Sequence, residues 1–173
     1  MSFFRCCLHQ QQDNLVTSYT KLASQDIPKM TANESDNIIK EVKSVSGELT
    51  KYSEEAQLDS FLSYYDNSPA FLHVSSDGKM RNYEEFKKIC SDYYTSLNQQ
   101  KVFTIKEKFN VIDTSHVIVG WTGNIMAEFK NGDTMIMNNY SITNVFKMIG
   151  AKWKIIHSHE SSLPPEINKS KAE

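Results

Sequence analysis

Two histidines near the end of the chain, His157 and His159, stand one residue apart. In an extended strand, alternation puts both on one face, about 6.6 Å apart along it. That spacing suits two ligands of one metal ion, an acid–base pair, or two hydrogen-bonded histidines at a sheet end. A metal centre needs at least a third ligand. The later acid and glycine of a cupin-type pattern are missing, so no metal is expected. A histidine near its ordinary pKa exchanges protons at neutral pH, and Glu160 or Tyr140 could orient it. His157 and His159 are therefore the candidate catalytic residues. Tyr140 and Asn144 share the parity of one strand face and could offer a hydroxyl and an amide to a ligand. Trp121 lies between Gly120 and Gly123. Glycine in a strand marks a bulge or a close approach, so Trp121 either floors a pocket or fills the core. Tyr64 and Tyr65 close a short helix, where one should face a sheet. The candidate ligand-binding set is Tyr64, Trp121, Tyr140, Asn144 and Glu160.

These residues need elements to hold them. Thr31 with Glu34 fits a capping box. Ile38, Val42, Val45, Leu49, Tyr52 and Ala56 then recur in alternating steps of four and three, which makes one helical stripe. Leu58, Phe61, Leu62 and Tyr65 fit a second, short helix, stopped by Asp66-Asn67-Ser68-Pro69. Residues 70–75 read as a short strand before an Asp77-Gly78 turn. Asn82 caps a third helix with a stripe of Phe86, Ile89, Cys90, Tyr93 and Leu97.

After Gln100 the period changes from 3.6 to 2. Phe103, Ile105, Phe109 and Val111 fall on one strand face, and Thr104, Lys106, Lys108 and Asn110 on the other. Further strands fit residues 116–129, 134–148 and 153–159, with Asn131-Gly132 as a hairpin turn. The strand from Thr134 would run roughly 50 Å if straight, so a bend is expected near Asn138-Asn139. Tight turns make these neighbours antiparallel. The order predicts an α+β fold, three N-terminal helices packed on a curved, mostly antiparallel sheet. Residues 1–30 read as a flexible leader, 31–166 as the domain and 167–173 as a frayed tail.

Composition narrows the functions. A chain of 173 residues can bury one sizeable core. The net charge of -2 provides no basic field for nucleic acid. No apolar run approaches the roughly 18 residues of a membrane span. Cys6, Cys7 and Cys90 make no disulfide framework, which points to the cytoplasm, with acylation of Cys6 and Cys7 left open. Cys90 has no visible activating neighbour. There is no Gly-rich phosphate loop and no Gly-x-Ser-x-Gly elbow, so no cofactor is expected. Met126, Met135, Met137 and Met148 suit an adaptable apolar surface, in a core, an interface or a ligand wall.

The string from Trp153 to Ser161, Trp-Lys-Ile-Ile-His-Ser-His-Glu-Ser, resembles the closing strand of the SnoaL-like and DUF4440-type families of the NTF2-like superfamily. The pattern is similar also to the association domain of calcium/calmodulin-dependent kinase II. The resemblance covers roughly residues 35–166. It implies a cone-shaped fold, a pocket between sheet and helices, and a homodimer through the outer sheet face. It does not fix one function, because the superfamily holds isomerases, cyclases, dehydratases, transport factors and assembly modules. The first strand carries His73 where ketosteroid isomerases have an acid. Residues 116–127 lack the acid of the cyclases, and Asn144 and Glu160 stand where the kinase domain has arginines. Three readings follow. The cone binds a small, largely apolar molecule without catalysis. Alternatively the chain is a homo-oligomerisation module. Alternatively it is a SnoaL-like or ketosteroid-isomerase-like enzyme using a pocket histidine.

Overall fold

Helix α1 (Ala32–Glu54) follows the predicted stripe: Val42 and Leu49 are buried, and Ile38 and Val45 pack beside them. The computed structural model describes residues 30–170. Nearly all of the expected leader, with Cys6 and Cys7, lies outside the described residues. Ala56, at φ 50°, turns the chain into the short helix α2 (Leu58–Leu62). Strands β1 (Leu72–Val74) and β2 (Met80–Arg81) form a small hairpin around Gly78, whose φ of 77° suits glycine. Asn82 caps α3 (Tyr83–Ser96) as expected. Its side chain accepts from the Glu85 amide and the Glu85 carboxylate accepts from the Asn82 amide, both at 3.0 Å.

Four long strands follow: β3 (Leu97–Asp113), β4 (His116–Phe129), β5 (Thr134–Ile149) and β6 (Lys152–Ser161). A last short strand is β7 (Glu166–Asn168). The sheet order is β2-β1-β6-β5-β4-β3, with β7 paired to β5. All named pairs are antiparallel except β1 with β6. The α+β expectation therefore holds, on a curved, open, mixed sheet with the helices on one face. Val42, Leu62, Phe86, Val117, Phe146 and Ile155 join all three helices to the sheet in one core. Burying each such side chain contributes roughly 1.5–3 kcal/mol. Trp153 adds a fixed link, its indole N–H donating to the Glu41 carboxylate of α1 at 2.9 Å.

Three irregularities decide which side chains face the helices. In β3 the register slips between Thr104 and Lys106, leaving Ile105 unopposed. Val102 before the slip and Glu107 after it both reach the interior, whereas Phe103 and Ile105 are half exposed. Phe109 and Val111 pack on the core, so the predicted common face of all four apolar residues is divided. In β5 the extra residues fall at Asn138 and Asn139, the bend expected from length. Asn139 takes φ 54°, and its amide donates to the Asn124 side chain at 2.9 Å. In β6 the slip leaves Ile156 unopposed, and the inward parity passes from Trp153 and Ile155 to Ser158 and Glu160.

The tail also differs from expectation. Residues 166–168 pair with β5. Lys169 then reaches the Asp133 carboxylate at 2.8 Å, and the Ser170 amide donates to it at 2.9 Å. Hydrogen bonds to an acid in the β4–β5 turn tie down a segment whose composition reads as loose.

Candidate active site

Between the helices and the inner sheet face lies a cavity of about 390 Å³. Its walls are aromatic: Phe61 from α2 and Tyr65 just after it, Phe86, Tyr93 and Tyr94 from α3, and Trp121 from β4. The Trp121 indole lies over Gly123, where a Cβ would stand 2.3 Å from a ring carbon. Gly123 is therefore what lets the ring fold along its own strand. The indole N–H donates to the Thr104 hydroxyl at 2.9 Å, and the ring meets Tyr140 edge-on at 6.2 Å.

Polar groups gather on the sheet floor. Tyr140 and Asn144 reach it from β5 and Glu160 from β6. The Tyr140 hydroxyl and the Glu160 carboxyl are neighbours there, close enough to act on each other. Burial pushes the Glu160 pKa up, while Tyr140 and the nearby Arg81 guanidinium pull it back. Burial, first, and the Glu160 charge push the Tyr140 phenol well above its ordinary value. Arg81 is itself held by Asp77, at 2.7 and 3.1 Å.

Behind Glu160 sits His73, fully buried, with Nε2 3.8 Å from a Glu160 oxygen. Its ring lies 4.5 Å from Phe86. Burial, before any charge effect, pulls its pKa down to about 4, so the ring is neutral at pH 7 and no ion pair forms there. His73, Ser158 and Asn144 stand side by side across β1, β6 and β5. Among the described residues, both His73 nitrogens, the Ser158 hydroxyl and the Asn144 side-chain oxygen have no hydrogen-bond partner. Each such atom carries a desolvation cost of roughly 1–3 kcal/mol.

Of the residues singled out in the sequence, Trp121, Tyr140, Asn144 and Glu160 line the cavity together. Tyr64 does not. It turns away, stacks on Tyr52 and bonds Glu48 of α1, while its neighbour Tyr65 takes the inward place. Burial, and then the Glu48 contact, push the Tyr64 phenol up to about 12. His157 and His159 do not line the cavity either; past the Ile156 slip they occupy the face opposite Ser158 and Glu160. The expected use of these histidines inside the pocket gives way to that geometry. Among the described residues no group of His, Cys, Asp and Glu is placed to hold a metal ion.

Residues beyond the expected set also contribute. Gln100 links Tyr93, whose hydroxyl donates to it, to Ser53 of α1 at 2.8 Å. Cys90 lines the wall, with burial pushing its thiol up to about 12. Tyr93 was visible as part of the α3 stripe. Gln100, a polar residue at a helix–strand junction, left no periodic trace. The arrangement can hold a flat apolar ring and present a carboxyl, a phenol and an amide to one end of it. Among the described residues, none in the wall is Lys or Arg.

No curated protein matches the sequence. Among solved structures, a candidate scytalone dehydratase from Novosphingobium aromaticivorans superposes with a TM-score of 0.71 at 6% identity, covering 82% of this chain and 95% of that one. The hexachlorocyclohexane dehydrochlorinase LinA-type3 from Novosphingobium barchaimii gives 0.66 at 5% identity, covering 80% and 94%. A candidate calcium/calmodulin-dependent protein kinase II association domain from Xanthomonas campestris gives 0.61 at 17%, covering 72% and 86%. At these identities the likeness is one of fold, the NTF2-like fold. A family model for the SnoaL-like domain matches residues 42–165, more than half of the chain, and the chain belongs to that family.

Proposed function

We propose that the cavity binds a small, largely apolar ring compound whose polar end meets Glu160, Tyr140 and Asn144. The carrying observation is the Asn144 side-chain oxygen, buried in the wall of an aromatic cavity without a partner among the described residues. A ligand N–H or O–H there would offset the cost of leaving that acceptor unpaired. With no Lys or Arg among the described wall residues and a carboxyl on the floor, a neutral ligand is favoured over an anion. Hexachlorocyclohexane, named for one structural relative, is itself a small apolar ring.

Titration with the neutral fluorophore N-phenyl-1-naphthylamine tests this. We expect saturable emission at one site per chain, and its loss in Ile142→Trp, which fills the floor beside Glu160. Equal emission from the plugged variant, folded by circular dichroism, would sink the proposal.

A second reading, self-association, is favoured by one observation. Phe103 and Ile105 of β3 and Met126 of β4 stand 50%, 59% and 47% exposed on the outer face or strand edge.

A further inference from the structure

Glu160 offers more than a hydrogen bond. Its side chain is 21% exposed, on the floor of an aromatic cavity. The groups around it come from every neighbouring element. His73 approaches from β1 at 3.8 Å, Tyr140 from β5, and Arg81 and Asp77 from the β1–β2 hairpin. Tyr65 stands after α2 and Cys90 on α3, and Glu107 of β3 lines the same cavity. Of these only Arg81 is cationic at neutral pH, and Asp77 already occupies it. Tyr140 is therefore the neighbour that most favours the Glu160 charge. A carboxylate so stripped of water is a stronger base than one in solution.

We propose that Glu160 is a general base, removing a proton from the neutral ring compound bound in the cavity, with Tyr140 as its positioning residue. The proposal rests on the ligand reading above. In the step, a ligand proton passes to a Glu160 oxygen, the bonding pair stays with the ligand, and Glu160 returns the proton to water. Burial, which raises the Glu160 pKa, supports the same assignment.

The full chain is tested with 5-nitrobenzisoxazole, a flat neutral ring with one acidic C–H. Loss of that proton leaves the C–H pair to complete a nitrile and breaks the N–O bond. The product is a coloured phenolate, and no other reactant is needed. We expect wild type to exceed Glu160→Gln by about a hundredfold, with Glu160→Asp in between. The rate should rise with pH around a midpoint above the ordinary glutamate value of about 4.3. Tyr140→Phe removes the hydroxyl that favours the carboxylate, so it should move that midpoint upward. A merely structural Tyr140 would lower the rate and leave the midpoint in place.

Binding is read separately, by displacement of N-phenyl-1-naphthylamine. Displacement with equal turnover in wild type, Glu160→Gln and Glu160→Asp overturns the inference and leaves the ligand reading standing. A protein that binds the naphthylamine but does not exchange it for the benzisoxazole overturns the inference as well. A protein that binds neither overturns both.

Discussion

His73 is fully buried on β1, with neither ring nitrogen bonded among the described residues. Its pKa falls from 6.5 to about 4, chiefly through burial, so the folded state favours the neutral ring. The resulting stability is present above pH 6.5 and is lost as pH falls through that window towards 4. The size is about 3 kcal/mol. Glu160, whose pKa is raised, works in the opposite sense, so the comparison must be with a variant. His73→Leu should flatten the difference in urea-unfolding free energy between pH 4.5 and 7 relative to wild type, by about 2–3 kcal/mol. Parallel pH curves would show that His73 does not titrate as described.

At this scale the sequence was readable where residue type and parity agreed, as at Tyr140 and Asn144. It misled at His157 and His159, whose chemistry drew attention while one unopposed residue, Ile156, turned them outward. Tyr64 and Tyr65 were adjacent equals, and only packing on Phe71 and Phe86 separated them.

Among the elements, the turns and periods were plain. The change to alternation after Gln100 marked β3, Asn131-Gly132 marked the β4–β5 turn, and Asn82 with Glu85 marked α3. Bulges were legible only where length forced one, at Asn138-Asn139. The slips at Ile105 and Ile156 carry no special residue, because a β-branched side chain there is ordinary for a strand. The two-residue β2 was missed, since Met80-Arg81 is too short to show a period. Asn139 offers a direct test of the β5 bend. Asparagine tolerates φ 54°, whereas a β-branched residue does not. Asn139→Gly should unfold within a degree or so of wild type. Asn139→Val should lose about 1–2 kcal/mol and weaken naphthylamine binding through its neighbour Tyr140. Equal melting temperatures for the two variants would contradict the assigned backbone.

For the whole molecule, the outer sheet face is the open question of surface. Phe103 and Met126 lie close together on β3 and β4, and Ile136 pairs with Met126 from β5. Apolar groups of this size left in water favour covering by another surface. We propose a homodimer through this face. Light scattering after size exclusion should give twice the chain mass, and Phe103→Asp should return it to one. A wild-type mass of a single chain at tens of micromolar would refute the assembly.

The parallel pairing of Leu72–Val74 with residues 157–159 joins segments separated by nearly all the other strands. Such a junction is costly in chain entropy and forms late. The aromatic shelter can gather early from α2 and α3, close in sequence. Its polar floor comes with the β5–β6 hairpin, where Glu160 stands opposite Ile142, and the seam with β1 that buries His73 behind that floor closes last.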